Sequence, residues 1–218
     1  PGEILVDPWL YGVALAAHAR QNGAQILTGF ELDAKLSRFD QNERIWTIAK
    51  KEPSNETPQT ISAKAVVNAA GLWSDVVESD MLQTAPRFTS RPRRGQYMVF
   101  KPKSSSESVR CPIQPIPTDR TKGIFVFSTL DDQLVVGPTA TDQESLTNRR
   151  VCPATADELK RHVQRVLPDL DLDESFVGEY VGIRQGSNQR DYQIRLSVES
   201  SWLVSAGIRS TGLTASLG

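Results

Sequence analysis

Ten consecutive residues, Val66-Val67-Asn68-Ala69-Ala70-Gly71-Leu72-Trp73-Ser74-Asp75, constrain this chain more than any other stretch. Ala65 to Ala70 is a run of small and β-branched residues, apolar except for Asn68, and predicts a strand buried on both faces. Gly71 permits a sharp turn, and either Ser74 or Asp75 is suited to cap the short helix expected next. Such a corner presents backbone N–H groups at the C-terminal end of its strand. In an open α/β sheet that is where ligands bind. By itself the segment is equally an ordinary strand-to-helix connection.

Bulk properties narrow the class. With 218 residues the chain can form one large domain or two small ones, each with a core. A formal net charge of -1 argues against nucleic acid or an anionic membrane as the main partner. The basic cluster Arg87, Arg91, Arg93 and Arg94 is too short to alter that and reads as a solvated loop. Cys111 and Cys152 are far apart and the only histidines are His18 and His162, so neither a disulfide framework nor a metal site is expected. Two free thiols fit a reducing compartment, the cytoplasm first and a mitochondrion as the alternative. No apolar run reaches membrane-spanning length. The chain opens on Pro1 without an initiator Met and stops at Gly218, just inside an expected helix, which predicts a piece of a longer polypeptide.

Taken in order, Asp7-Pro8 predicts a helix start, with Leu10, Val13, Ala14 and Ala17 on one apolar face and Asn22-Gly23 as the terminator. Ala24 to Phe30 is expected as a strand, extended by Glu31 to Phe39, and Arg44 to Ala49 as the next. Lys50 to Gln59 reads as a hairpin tip. Gly95 to Phe100 is a strand, and Ile124 to Ser128 pairs with Leu134 to Gly137 around Leu130-Asp131-Asp132. Thr155 to Glu158 has the pattern of a capping box, followed by the stripe Leu159, Val163, Val166 and Leu167, with Pro168 as the stop. Phe176 to Arg184 is a strand in which Gly178 and Gly182 would allow close backbone approach. His18 and His162 both border apolar stripes; His18 is read as a surface or boundary residue and His162 as a packed or solvent-facing imidazole.

Chemistry concentrates again in the tail. Trp202 to Ala206 predicts a buried strand, and Gly207-Ile208-Arg209-Ser210-Thr211-Gly212-Leu213-Thr214-Ala215-Ser216 a glycine loop turning into a helix. Amides at such a helix start favour an anion or developing negative charge. No two glycines stand two apart, so the chain contains no G-x-G-x-x-G and no complete dinucleotide-binding unit.

Glu3 to Pro8, Gly23-Ala24, Val67 to Asp75, Val136-Gly137-Pro138-Thr139-Ala140, Gly182-Ile183-Arg184 and Gly207 to Ser216 occur in this order in FAD-dependent oxidoreductases of the D-amino-acid oxidase superfamily. The chain resembles the anaerobic-type glycerol-3-phosphate dehydrogenases most, with L-2-hydroxyglutarate oxidases near by. The resemblance implies a mixed α/β (α+β) fold: a partial FAD-binding domain over 1–80, an antiparallel-sheet substrate domain over 81–195, and a return to the FAD domain over 196–218. It further implies that Asn68, Ala69, Ala70 and Gly71 line FAD with Trp73 packing near it, plain core packing of Trp73 being the alternative, and that Phe30 to Leu32 is the backbone segment beside the adenine. Thr211, Gly212 and Leu213 would present amides to the flavin's N1–C2=O edge, with Gly207 and Thr214 also among the cofactor-binding residues. Arg209 would lie near the ring, or else in a surface ion pair. Arg184 would bind the anionic group of a small 2-hydroxy substrate, glycerol 3-phosphate before 2-hydroxyglutarate or an amino acid. Gln185 stands where relatives often have proline. A base for the hydroxyl proton is not visible in this chain, and these residues alone are expected to hold FAD weakly or not at all. The contrasting reading is a non-catalytic module that keeps the fold without the cofactor.

Overall fold

The computed structural model describes residues 6–53, 59–104, 107–116, 123–209, 212–213 and 215–216. They form two compact units, one made of residues 1–89 and 189–218, the other of residues 90–188. The second unit is thus an insertion in the sequence of the first. Its limits differ by several residues from the 81–195 expected for a substrate domain.

In the first unit, helix α1 spans Pro8–Gln21, with the Asp7 carboxylate accepting from the amides of Trp9 and Leu10 at 2.8 and 3.0 Å. The cap is as the sequence implies. Its apolar stripe is not covered: Leu10 and Val13 are 60% and 46% exposed. Ala24 to Phe30 is not a strand, because among the described residues no strand pairs with it. The strand β1 runs instead over Leu32–Asp40 and forms an antiparallel meander with β2, Ile45–Lys50, and β3, Thr60–Ala63. A bulge interrupts β1, where Asp33 folds its carboxylate onto the amides of Lys35 and Leu36.

A second sheet joins segments from both ends of the chain. Strand β4, Val66–Asn68, leads through a single 3-10 turn at Gly71–Trp73 into α2, Ser74–Leu82. The unit's last strands are β10, Gln193–Ser197, and β11, Trp202–Ala206, and the sheet order is β10-β11-β4. The β11–β4 pair is parallel, with Trp202 opposite Val66 and Val204 opposite Asn68. One face packs on α2 and the meander through Trp46, Met81 and Trp202, with the two indole rings 5.4 Å apart. The other face is bare: Val67, Ile194 and Leu196 are each 61–62% exposed. The sequence expectation of a β4 buried on both faces is corrected here, since Asn68 is its buried residue and Val67 faces out.

The second unit is one antiparallel sheet with a helix on it. Strand β5, Arg93–Phe100, lies at its centre. On one side β5 pairs with β7, Leu134–Gly137, and β8, Thr141–Asp142; β6, Phe125–Ser128, pairs with β7. On the other side lies β9, Phe176–Arg184. Helix α3, Pro153–Val166, covers one face, where Met98, Phe100, Val126, Leu134, Val136, Leu159 and Val163 are buried together. A short helix, α4, spans Leu172–Ser175. The capping box expected at Thr155 does not form. The helix begins earlier, with Cys152 in the cap position and Pro153 in its first turn, because proline fits where no intrahelical N–H is needed.

Leu159 is fully buried under this sheet. Leu159→Ala is expected to destabilise the protein by about 2–5 kcal/mol in chemical denaturation. Leu130→Ala, at a site 73% exposed, is expected to change it by less than about 0.5 kcal/mol.

Candidate functional site

Parallel pairing of β4 and β11 brings two glycine corners to the same end of one sheet. Val204 is opposite Asn68, so three residues further along each strand stand Gly207 and Gly71. Both glycines have positive φ, +66° and +60°, which turns each backbone sharply at that point. A parallel pair delivers both turns to its C-terminal end, where open α/β sheets bind ligands.

The first corner is held from inside by Asn68. Its side chain is 4% exposed; Nδ2 donates to the Ser74 carbonyl at 2.8 Å and Oδ1 accepts from the Ala70 amide at 3.2 Å. The one polar residue in an apolar run thus ties the end of β4 to the start of α2. Neither Ser74 nor Asp75 caps α2 with its side chain, contrary to expectation: Trp73 occupies the cap position, and Ser74 Oγ donates back to the Gly71 carbonyl at 2.8 Å. Outside the clasp, Ala69 and Ala70 are exposed, and nothing lies within 4 Å of where a Cβ on Gly71 would be. Trp73 is 42% exposed, so plain core packing does not describe it.

The second corner differs from its sequence reading. Among the described residues Gly212, Leu213, Ala215 and Ser216 lie in turns, not in a helix. The Gly212 amide donates to the Arg209 carbonyl at 2.8 Å and is therefore not an open donor. Thr211 and Thr214 lie outside the described residues. Gly207 is buried, Leu213 is 36% exposed, and exposed Arg209 donates from Nη2 to the Arg190 carbonyl at 2.8 Å, so its surface partner is main chain and not a carboxylate. Leu32 begins β1 opposite Lys50. Beside it, Ile26, Leu27, Phe30, Lys50, Thr60 and Ile61 line an open cleft of about 370 Å³.

In the second unit Arg184 ends β9, opposite Arg93 of β5. Its Nη2 donates to the Thr139 carbonyl at 2.6 Å, while its Nε is buried without a hydrogen-bond partner. Gly95 makes the space: a Cβ there would meet Pro138 Cβ at 2.9 Å and Arg184 Nη2 at 3.4 Å. Burial is the main influence pulling the Arg184 pKa down; Tyr97 and Asp142 oppose it, and Arg93 adds to it. The guanidinium keeps its proton regardless. Asp142 Oδ1 lies 2.8 Å from Arg93 Nε, an ion pair without hydrogen-bond alignment. Gly178 and Gly182 do not serve close backbone approach as expected, for nothing lies within 4 Å of where a Cβ on either would be. They leave the sheet surface bare.

His162 is part-buried beside Arg165, and burial chiefly lowers its pKa. Among the described residues no group of three or more His, Cys, Asp or Glu could hold a metal. None of their helices is long and apolar enough to cross a membrane.

The arrangement is that of a known class. Residues 1–218 match the DAO profile, FAD dependent oxidoreductase, and the chain belongs to that family. It is 28% identical to the glycerol 3-phosphate oxidase of Mycoplasma pneumoniae over 217 residues, covering 98% of this chain and 54% of that protein. It is also 28% identical to the glycerol 3-phosphate dehydrogenase of Caloramator mitchellensis over 215 residues, covering 97% of this chain and 41% of that one. Among solved structures it is similar to the dithionite-reduced L-α-glycerophosphate oxidase from Mycoplasma pneumoniae with FAD bound. That match has a TM-score of 0.78 at 25% identity and covers 92% of this chain and 50% of the other. The chain spans about half the length of the curated relatives it matches.

Asn68→Ala leaves the Ser74 carbonyl and the Ala70 amide without their buried partner. The expected loss is about 1–3 kcal/mol of stability in denaturant titration, against less than about 0.5 kcal/mol for Val67→Ala on the exposed face of the same strand.

Proposed function

We propose that the complete protein is a flavin-dependent dehydrogenase or oxidase that takes a hydride from a small anionic 2-hydroxy compound, with glycerol 3-phosphate as the favoured substrate. Bound FAD supplies the electron acceptor for that hydride. The observation that carries the reading is the pair of glycine corners at one end of the β4–β11 sheet, in a chain that belongs to an FAD-dependent family. What the residues present fits such a group: a rigid clasp under the corner, alanines in place of larger side chains, and a glycine whose outer side is open.

On this reading Asn68 holds the corner while Ala69, Ala70 and Gly71 let a planar ligand approach the backbone. Trp73 stands beside it. Gly207 and Leu213 supply the second contact, and Gly212 shapes that loop, where a Cβ would run into the Ile208 side chain; Thr211 and Thr214 are assigned to it by family resemblance alone. Arg209 flanks the same loop. N–H groups fixed in advance stabilise developing negative charge without reorganising. The cleft beside Phe30, walled by Ile26, Leu27 and Ile61 together with Thr28, Lys50, Gln59 and Thr60, is proposed to take the adenine. The bare apolar faces of α1 and the β10-β11-β4 sheet are proposed to be covered in the complete protein, whose relatives are about twice as long. These 218 residues alone are proposed to hold FAD weakly or not at all.

Arg184 receives the substrate's anionic group. Its Nε is a buried donor lacking an acceptor, which a phosphate or carboxylate oxygen would provide.

Anaerobic addition of glycerol 3-phosphate to the complete, FAD-loaded protein should abolish the oxidised-flavin absorbance. Bleaching by 2-hydroxyglutarate or an amino acid instead would reassign the substrate, and no bleaching by any of them would reject the oxidoreductase reading. Arg184→Ala should weaken substrate binding by about 1.5–3 kcal/mol, read as a raised KM.

A further inference from the structure

The face of the second unit's sheet turned away from α3 carries a row of glycines, tyrosines and arginines. Alternate residues of a strand share a face, so Gly178, Tyr180, Gly182 and Arg184 of β9 lie along one side. Their β5 partners there are Val99, Tyr97, Gly95 and Arg93. Tyr97 and Tyr180 are cross-strand partners whose rings stack with centroids 4.7 Å apart and planes 9° from parallel. Tyr180 remains 48% exposed despite that contact. The Arg184 Cα lies about 13 Å along the strand from that of Tyr180. Between them stands Gly182, with nothing within 4 Å of its missing side chain.

We propose that Tyr97 and Tyr180 complete the anion subsite of Arg184 and set its preference for a phosphate monoester of a short polyol over a carboxylate. The inference rests on the function proposed above and extends it to two residues with no assigned role. One guanidinium with one nitrogen committed to Thr139 satisfies the two oxygens of a carboxylate. A phosphate offers a third oxygen and more negative charge, and phenol hydroxyls are donors able to meet it. The stacked rings form a rigid apolar wall for the carbon chain, and the glycine gap gives that chain room.

Electrostatics agree with this placement. Burial chiefly raises the Tyr97 pKa, while the Arg184 charge pulls it down, so the phenol feels that guanidinium. For Tyr180, burial chiefly raises the pKa and Tyr97 adds to the rise. Both phenols therefore stay protonated, and able to donate, at neutral pH. Arg93 and Asp142, whose charges also act on Arg184, are paired with each other.

The test uses the complete FAD-loaded protein and its Tyr97→Phe, Tyr180→Phe and Arg184→Lys variants, each first shown to retain bound flavin. Steady-state rates are measured with glycerol 3-phosphate, together with competitive inhibition by inorganic phosphate and by acetate. The expected result is a rise of about ten-fold or more in both KM and the phosphate inhibition constant for Tyr97→Phe. Tyr180→Phe should show a rise in the same direction, with kcat and acetate inhibition little changed in both. Retained flavin together with unchanged phosphate inhibition in both tyrosine variants, while Arg184→Lys weakens it, would overturn the tyrosine proposal and leave the role of Arg184 standing. If the wild-type protein is not reduced by glycerol 3-phosphate, or Arg184→Lys changes neither constant, the underlying reading fails first.

Discussion

The parallel register between β4 and β11 is the constraint on which the candidate flavin site depends. Antiparallel strands can be joined by a tight turn, but a parallel pair needs a long crossover. Here the crossover contains α2, the whole second unit and β10. Its consequence is geometric. Two turns separated by more than a hundred residues, at Gly71 and Gly207, leave one sheet at the same end. Neither corner alone distinguishes a ligand site from an ordinary connection; two in register do so far better.

The clasp made by Asn68 shows why a polar residue belongs in that strand. Buried amide groups cost stability unless bonded, and this one answers a carbonyl on α2 and an amide at the corner. The side chain therefore fixes the angle between strand, turn and helix. Above it, small residues expose backbone. The second unit achieves the same division of labour with a sheet: one face supports α3 over an apolar cluster, with buried Gln96 tying the sheet to the start of that helix, and the other presents Arg184, Tyr97 and Tyr180. Gly95 and the Thr139 carbonyl hold the guanidinium in position.

What was legible in the sequence was mostly local. The Asp7 cap, the β6–β7 hairpin, β9 and β11 all follow from short-range pattern, because turn chemistry and strand alternation act over a few residues. The errors arose where distant partners decide. Ala24 to Phe30 has the composition of a strand but nothing among the described residues to pair with. Val67 looks like core and is exposed, because burial of a sheet face depends on what lies against it. The capping box at Thr155 lost to Pro153, which opens the helix earlier. The Tyr97–Tyr180 pair was invisible for a related reason: only cross-strand register shows that the two meet on the side that carries Arg184. Family resemblance pointed to Asn68 and Arg184 but not to the groups that hold each in place.

Amide hydrogen exchange in the complete protein, with and without FAD, tests the shared-end claim most directly. FAD should slow exchange at both corners, Ala69 to Gly71 and Gly207 to Leu213, with the amide of Gly212 the least affected because it is already bonded to Arg209. Protection at one corner with the other unchanged would contradict it.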